Sequence, residues 1–445
     1  MSSTASSDCV GGCAQGRLSH VTDADRWQQV VDRAQAVGRL PTVVAGVLQG
    51  GHLVWTGSAG APTATDMQYR IGSITKTMNA VAVLQCRDDG LLSLDDPLGR
   101  VVPESGYRDA TLRSLLAHVS GMQSEPTGSW WERSPGVDVA SLISANDGSG
   151  AIAPAGSFFH YSNLGHALLG EVVARLRGES WWEVVSGRLL GPLGMTRTSY
   201  LPDGEAAQGF SVEHYSGSLM REPHQDTGAM APAGQLWSTI DDLAKWGRFL
   251  ALGEASVVSS ESLQEMAQPV AASPEYGLGL RLLTCGDKVL VGHTGSMPGF
   301  LATLFVDQGS GDGALALTNA TTGFDPVGMV TQLLAGAPVE PEPAWVPTAS
   351  VPDWAAELLG VWFWGNSAQE IRLHNGMLQL HDVAMHEVDG RFAEQHGQIV
   401  GVDGYHRGET LNVVRRPDRT ISHLDCATFI YTRIPYDPTT PIPGH

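Results

Sequence analysis

Residues 70–85, with the sequence RIGSITKTMNAVAVLQ, indicate the central helix of the protein. From Ser73 to Gln85, apolar or small residues occupy nearly every helical position, which predicts a helix without a polar face. Such a helix has to be buried on all sides, so we expect it at the centre of a domain. Lys76 lies inside this apolar run. Lysine is almost never fully buried unless it is paired, so its position here indicates a function.

Ser73 and Lys76 are three positions apart, so on a helix the ammonium group lies one turn from the hydroxyl. A buried lysine can lose its proton near neutral pH, whereas an arginine cannot, so Lys76 is a candidate base for a Ser73 nucleophile. If the helix begins at Ser73, its dipole and free backbone N–H groups point at the reacting carbonyl. The competing interpretation is a helix cap followed by a lysine that reaches solvent, because a lone Ser-x-x-Lys match is a weak signal.

Two further elements follow in the order that this chemistry needs. In YSN at residues 161–163, Tyr161 can take the proton of Ser73 if a neighbouring cation lowers its pKa. Asn163 can hold Lys76 and a substrate amide. A tyrosine and an asparagine at this spacing would otherwise be a core residue and a helix cap.

The second element is GHTGS at residues 292–296, between two predicted strands. Gly295 would let a substrate lie close against the edge strand. The backbone N–H groups of Ser296 and Ser73 could together form an oxyanion hole. Taken by itself, His293 would more often be a structural histidine.

Together, SITK at residues 73–76, YSN and HTG resemble the three signature elements of serine DD-peptidases, class C β-lactamases and their esterase and transacylase relatives. The stretches LLAHVSGM at 115–122, PAGQLWST at 232–239 and YGLGL at 276–280 are similar to that family as well. The resemblance implies an acyl-enzyme cycle with no metal and no cofactor. It also implies the following roles, catalytic for the first four residues and substrate-binding or oxyanion-stabilising for the rest: Ser73, Lys76, Tyr161 and His293; Asn163, Thr294, Gly295 and Ser296.

One position departs from the pattern of class C β-lactamases, which carry lysine where this chain has His293. Histidine also occurs there in DD-peptidase, D-amino-acid amidase and esterase branches of the family, so the resemblance implies catalysis without efficient penicillin hydrolysis. Arg281 is a candidate reader of a substrate carboxylate, and the alternative is a surface arginine.

Strands and helices alternate in a way that predicts a mixed α/β (α+β) catalytic domain. A helix is expected near residues 27–37, a hairpin at 42–48 and 52–55 turning at Gly50-Gly51, and further strands at 278–283, 288–291, 300–306 and 314–317. Strands at both ends with helices between them predict one antiparallel sheet beside a helical region. Further helices are predicted at 112–117, 163–176 and 241–250.

The domain boundaries follow from composition. Residues 1–22 are expected to be a flexible leader and 23–337 the catalytic domain. Prolines punctuate residues 338–352, which predicts a linker. Short alternating runs, with an Asn375-Gly376 turn among them, predict a small all-β barrel domain over 353–445, which resembles the lipocalin-like extension of many family members.

Charge and composition limit the possible partners. The 445-residue chain has a formal net charge of −20, so neither nucleic acid nor an anionic membrane is an expected partner. Without an apolar run of the kind a secretory signal needs, the protein is expected to be cytoplasmic, and its five scattered cysteines are expected to be reduced. The oligomeric state stays open.

Three functional hypotheses are compatible with these sequence features. The first is a serine hydrolase acting on a small-molecule or peptide ester or amide. The second is an acyltransferase or a penicillin-binding-protein-type thioesterase or transacylase that passes the acyl group to an amine, since it would use the same residues. The third is a non-catalytic binder. Metal catalysis is disfavoured because the six C-terminal histidines, interpreted as solvated, lack ligand spacing: His374, His381, His386, His396, His406 and His423.

Overall fold

The computed structural model describes residues 22–64, 66–270, 272–437 and 439–442. The predicted leader, with Cys9 and Cys13, therefore lies outside the described residues except for Thr22, which caps the first helix. In chain order the helices are α1 (Asp23–Gly38), α2 (Thr75–Asp88), α3 (Leu112–Leu116), α4 (Val139–Ala145), α5 (Asn163–Arg177), α6 (Trp181–Val185), α7 (Ala231–Gly234), α8 (Ile240–Leu252), α9 (Ser260–Met266), α10 (Pro326–Ala335) and α11 (Asp353–Ala356).

Strands occupy both ends of the first three quarters of the chain and dominate the last quarter. They are β1 (Thr42–Gln49), β2 (His52–Gly60), β3 (Tyr69–Arg70), β4 (Phe210–Val212), β5 (Leu219–Arg221), β6 (Trp237–Ser238), β7 (Arg281–Cys285), β8 (Lys288–Met297), β9 (Phe300–Val306), β10 (Gly313–Thr318), β11 (Gly360–Trp364), β12 (Ser367–His374), β13 (Met377–Asp382), β14 (Glu387–Gln395), β15 (Gln398–Gly401), β16 (Leu411–Arg415), β17 (Ile421–Cys426) and β18 (Phe429–Tyr431).

The main sheet joins the two ends of the catalytic region, as the sequence predicts. Among the described residues six strands form it in the order β2-β1-β10-β9-β8-β7, and every neighbouring pair is antiparallel. Val43 of β1 lies opposite Thr318 of β10, so strands distant in sequence close the sheet. One apolar core, which includes Val31 and Val330, packs α1 and α10 on one face, and the larger core with α2 and α8 lies on the other.

The apolar segment at residues 70–85 lies at the centre of the larger core. It includes a 3-10 turn over Gly72–Ile74 and continues as α2. Every residue from Thr75 to Cys86 is buried, so the prediction of a helix buried on all faces is confirmed. Side-chain burial on all sides fixes the direction of this helix, and with it the place of Ser73 at its first turn.

The C-terminal strands form an all-β unit. A five-stranded sheet, β11 to β15, and a three-stranded sheet, β16 to β18, follow chain order. Bridges join their edges at Phe363–Thr432 and Val400–Thr410, so the two sheets close around one core with Trp362 at its centre. The predicted turn at Asn375-Gly376 connects β12 and β13. The mixed α/β class with a small β-barrel-like domain is thus confirmed, whereas its likeness to lipocalins stays a prediction.

The barrel contacts the catalytic region at the turn between β4 and β5. The Leu373 N–H donates to the Tyr215 carbonyl oxygen of that turn at 2.6 Å. His214 Nε2 lies 3.3 Å from Glu370 Oε2 beside it. No helix within the described ranges combines the length and apolar character that crossing a bilayer would require.

Candidate active site

The Lys76 side chain is in direct contact with the Ser73 hydroxyl. Its Nζ is 2.9 Å from Ser73 Oγ and 2.5 Å from the carbonyl oxygen of Ala233 on α7. The side chain is fully buried, and burial lowers the pKa of Lys76 to about 7, against a smaller raising effect of Glu125 and Glu132. The structure therefore gives Ser73 a neighbour that is part neutral amine and part ammonium near pH 7.

The turn that carries Ser73 packs backbone to backbone against β8. Gly72 has a φ of +52°, and a Cβ built on it would lie 2.5 Å from the Ser296 nitrogen. Only glycine meets both the left-handed conformation and this close approach. The segments that hold the two predicted oxyanion donors, the N–H groups of Ser73 and Ser296, are therefore in contact.

Tyr161 reaches the same place from the segment before α5. Lys76 Nζ lies 5.0 Å from the centre of the Tyr161 ring, and the Tyr161 hydroxyl is buried without a hydrogen-bond partner among the described residues. Burial raises the pKa of Tyr161, and the Ser73 hydroxyl and Arg281 act in the opposite direction. The predicted role of Tyr161 as a base depends on a neighbouring cation that lowers this pKa; Arg281 acts in that direction, but desolvation is the larger effect.

Among the described residues Asn163 makes no hydrogen bond to Lys76, although the sequence-based expectation places it there. Its Nδ2 donates instead to Glu125 Oε1 at 2.6 Å. Glu125 Oε2 in turn accepts from Trp131 Nε1 at 2.7 Å. The Lys76 ammonium takes the Ala233 carbonyl oxygen as its second partner, which leaves the Asn163 amide on the Glu125 side of the site.

Gly295 lies in the cleft and against the segment that carries Ser73. A Cβ built on it would lie 2.0 Å from the Ile71 carbonyl oxygen. Its missing side chain thus admits the nucleophile segment, while the close approach of a substrate stays a prediction. Among the described residues β7 pairs with β8 only up to Gly292, and residues 293–297 pair with β9 alone, so the second half of β8 has one unpaired edge.

His293 is buried at the base of the cleft. Its Nε2 lies 3.1 Å from the Tyr276 hydroxyl and its Nδ1 lies 2.5 Å from the Thr294 carbonyl oxygen. Burial lowers the pKa of His293 to about 3, so the ring is neutral at physiological pH. This neutral ring stands where a charged lysine is found in class C β-lactamases.

Arg281 places a guanidinium cation beside Thr294 in the cleft. Its Nη1 donates to Thr294 Oγ1 at 3.0 Å. The residue is half-buried at the start of β7 and lines the cleft. Its guanidinium and the Thr294 hydroxyl form a paired donor set, of the kind that binds carboxylates.

These residues open onto one cleft of about 450 Å³. Within the described part of the chain, its lining includes none of residues 202–230 and none of the C-terminal barrel. Phe159 is in the lining, while Trp131 is buried in the core. The lining residues are Ser73, Phe159, Tyr161, Ser273, Glu275, Tyr276, Arg281, His293, Thr294, Gly295, Ser296, Leu301 and Pro326.

Sequence reasoning missed several residues that surround the site. His118 and Tyr276 lie inside stretches that resemble the family, yet nothing in their local pattern gives them a role. Glu125 and the Ala233 carbonyl group reach the site only through tertiary contacts. The backbone of His118 carries the one local sign of a constraint, because its φ of +56° is unusual for a residue other than glycine and marks a constrained turn.

One group among the described residues has the composition of a metal site, and it lies far along the chain in the barrel. Ligand atoms of His406, Glu409 and Cys426 are within 4.8 Å of one another. His406 Nδ1 and Glu409 Oε2 are 2.8 Å apart, the distance of an ordinary hydrogen bond. His406 and His423 are buried, so the interpretation of all six C-terminal histidines as solvated is wrong for these two.

Comparison with known proteins gives a family for most of the chain. The model of the family described as Beta-lactamase matches residues 27–337. A second model, described as Domain of unknown function (DUF7586), matches residues 351–433. The two matches together cover both the catalytic region and the barrel.

Individual relatives agree with the family match. Penicillin-binding protein 4 of Amycolatopsis lactamdurans is 28% identical over 329 residues, which cover 67% of this chain and 85% of that protein. The octameric penicillin-binding protein homologue from Pyrococcus abyssi has the same fold, with a TM-score of 0.65 at 21% identity, over 93% of this chain and 100% of that one. A D-stereospecific amidohydrolase from Streptomyces sp. matches with a TM-score of 0.60 at 26% identity, over 70% of this chain and 98% of that one.

Proposed function

The chain belongs to the beta-lactamase family of penicillin-binding-protein-type serine hydrolases, and from that premise we propose that it hydrolyses an amide or ester through an acyl-enzyme on Ser73. The observation that carries the proposal is the contact of 2.9 Å between Ser73 Oγ and the Nζ of the fully buried Lys76. A neutral amine in that position can remove the serine proton as the hydroxyl attacks.

The residues allow a balanced two-step cycle. In the first step Ser73 Oγ bonds to the acyl carbon, its proton passes to Lys76 directly or through Tyr161, and the N–H groups of Ser73 and Ser296 stabilise the oxyanion. The bond to the leaving amine or alcohol then breaks, and the leaving group takes that proton. In the second step water attacks the acyl carbon, gives a proton to the same base, and releases the acid while Ser73 regains its hydrogen.

For the substrate class we propose a small peptide or amino-acyl derivative with a free carboxylate beside the scissile bond. Arg281 and Thr294 line the cleft next to Ser296 and form a donor pair suited to a carboxylate. The relative from Amycolatopsis is a penicillin-binding protein and the one from Streptomyces is a D-stereospecific amidohydrolase, which supports peptide-like or amide substrates. A substrate with D configuration is part of this proposal.

Acyl transfer remains the second candidate, because an amine can replace water in the second step without any other change of residues. We propose that hydrolysis dominates and that added amines test the alternative. If the acyl-enzyme passes its group to added amino acids or peptides faster than to water, the transferase hypothesis takes its place.

The decisive experiment is intact-protein mass spectrometry after incubation with p-nitrophenyl esters, D-amino-acid amides, D-peptides with a free C-terminus and acyl thioesters. We expect a mass increase equal to the acyl group, located on the Ser73 peptide and missing in Ser73→Ala. Ser134→Ala serves as the control, since Ser134 is not among the residues that line the cleft. Labelling that persists in Ser73→Ala would refute the proposal, and no labelling or turnover with any substrate would favour the non-catalytic binder.

A further inference from the structure

One chain of hydrogen bonds runs along the base of the cleft and connects two of its motifs. The Ser162 N–H donates to His118 Nδ1 at 3.0 Å, and His118 Nε2 lies 3.2 Å from the Tyr276 hydroxyl. That hydroxyl lies 3.1 Å from His293 Nε2, and His293 Nδ1 lies 2.5 Å from the Thr294 carbonyl oxygen. The three side chains between the two ends are buried.

The backbone groups at the two ends of this series of hydrogen bonds, the Ser162 N–H and the Thr294 carbonyl oxygen, fix the position of every proton between them. A backbone N–H can only donate, so His118 Nδ1 accepts, and the neutral ring carries its hydrogen on Nε2. A carbonyl oxygen can only accept, so His293 carries its hydrogen on Nδ1 and leaves Nε2 bare. Tyr276 lies between them, accepts from His118 and donates to His293. One arrangement therefore satisfies every bond, with no donor facing a donor.

The surroundings keep both rings neutral. The titratable groups that face them are the amine of Lys76 from α2, the ring of His166 from α5 and the guanidinium of Arg281 from β7, together with the phenol of Tyr161 and the ring of His160 from the segment before α5. Burial is the largest cause that lowers the pKa of His118, and His166 and Lys76 lower it further. Burial likewise raises the pKa of Tyr276, so its hydroxyl stays protonated. No group in the chain of bonds carries a charge near neutral pH.

We propose that His118 and Tyr276 are positioning residues that hold His293 as a neutral ring protonated on Nδ1, and that His293 exchanges no proton with the substrate. The His118 ring also packs on Tyr161, with ring centres 4.2 Å apart. The same bonds thus connect the segment that carries Tyr161 to the strand that carries Thr294. The link to catalysis rests on the proposed function, while the protonation pattern does not.

This proposal replaces the catalytic role that the family resemblance gave to His293. Both ring nitrogens are already engaged, one by a donor and one by an acceptor, so neither is left to serve a reacting group. The proton transfers of the cycle then belong to Lys76 and Tyr161. The charge that a lysine would supply at position 293 comes from Arg281 instead, through its bond to Thr294.

The protonation pattern can be measured without any substrate. In protein labelled with ¹⁵N in the histidine rings, long-range ¹H–¹⁵N spectra distinguish the two neutral tautomers, and His293→Asn and His118→Asn identify the two signals. We expect His293 as the Nδ1–H form and His118 as the Nε2–H form from pH 5 to 9. A His293 ring protonated on Nε2, or one that titrates within this range, would overturn the proposal.

Tyr276→Phe tests the positioning role, and Tyr431→Phe is its matched control, because Tyr431 is a buried tyrosine whose hydroxyl lies 3.3 Å from His406 Nε2 in the barrel. We expect Tyr276→Phe to lower kcat by about 10- to 100-fold with little change in KM, and to raise the pKa of His293, since Nε2 loses its donor. Tyr431→Phe should change neither. An unchanged kcat and His293 signal in folded Tyr276→Phe would contradict the proposal. An inactive wild-type protein with the expected tautomers would refute the hydrolase but not the protonation pattern.

Discussion

Lys76 Nζ lies 2.9 Å from Ser73 Oγ at the first turn of a helix that is buried on every side. The apolar surroundings explain why a lysine can act as a base here, because burial favours the uncharged amine. The Ala233 carbonyl oxygen, 2.5 Å from the same nitrogen, keeps the amine pointed at the hydroxyl. The chemistry of the pair thus depends on the packing of α2 and α7 around it.

Lys76→Met is expected to abolish acylation of Ser73, with a loss of at least about 10³-fold, because burial keeps the Tyr161 phenol protonated and Lys76 is the amine in contact with the hydroxyl. Lys76→Arg should fail as well, since a guanidinium stays charged. The measurement is the rate of acyl-enzyme formation by rapid-quench mass spectrometry. Acylation of Lys76→Met at more than a tenth of the wild-type rate would show that Tyr161 suffices as the base.

Lys76→Met is also expected to leave the free energy of unfolding unchanged or to increase it. The pKa of Lys76 is about 7 in the folded protein against 10.5 for an unperturbed lysine. Between these two values the unfolded chain binds more protons, so this group makes the protein more stable as pH rises through that window, and its full penalty applies below pH 7. Thermal denaturation of Lys76→Met and wild type at pH 6 and pH 9 should show the larger gain at pH 6. A lower Tm of the variant at both pH values would contradict this.

The activity is expected to rise with pH through about 7 and then to level off. The neutral form of Lys76 is the base, and burial places its pKa near 7. The rings of His118, His166 and His293 stay neutral because burial lowers their pKa values, so they add no further step in this range. The measurement is kcat/KM of an ester without ionisable groups between pH 5 and 9. A rate that falls as pH rises through 7 would mean that the ammonium form is the active one.

Local pattern was enough to predict the parts of the fold that depend on burial. The helix from Ser73 onwards was predicted from its apolar faces, and the hairpin after α1 from Gly50-Gly51. The antiparallel sheet from both chain ends and the C-terminal β unit followed from short alternating runs. What periodicity could not give was the length of β8, which continues to Met297 because its second half packs against the Ser73 turn.

Local sequence pattern predicts only part of the candidate active site. The order of the motifs pointed to Ser73, Lys76 and Tyr161, which the fold brings together around one cleft. Local pattern did not indicate that Asn163 bonds to Glu125 or that Gly295 lies against Ile71, since each depends on which neighbour a tertiary contact supplies. Proton positions on the buried histidines also require the complete set of hydrogen-bond partners, which no local sequence pattern contains.

Arg281→Gln is expected to weaken the binding of substrates that have a free carboxylate and to leave the binding of neutral substrates nearly unchanged. Loss of a charge-assisted hydrogen bond costs about 1.5–3 kcal/mol, so KM for a D-peptide acid should rise by about 10- to 100-fold. The corresponding amide should change by less than about threefold. Steady-state kinetics with this matched substrate pair give the answer, and Arg248→Gln, an exposed arginine on α8, is the control. Equal losses for the acid and the amide would show that Arg281 supports the site in general and reads no carboxylate.

Gly295→Ala is expected to damage both stability and activity, because the new methyl group would lie 2.0 Å from the Ile71 carbonyl oxygen. To relieve that overlap β8 has to move away from the turn that carries Ser73, which separates the Ser73 and Ser296 N–H groups. We expect a loss of about 1–3 kcal/mol in the free energy of unfolding, as for other overpacked sites, and a fall in kcat of about 10²-fold or more, as when one oxyanion donor is lost. Gly187→Ala is the matched control, since nothing lies within 4 Å of a Cβ at that position. Denaturant unfolding and acylation rates measure the two effects. A fully active Gly295→Ala would show that the contact between the two segments is not needed for the chemistry.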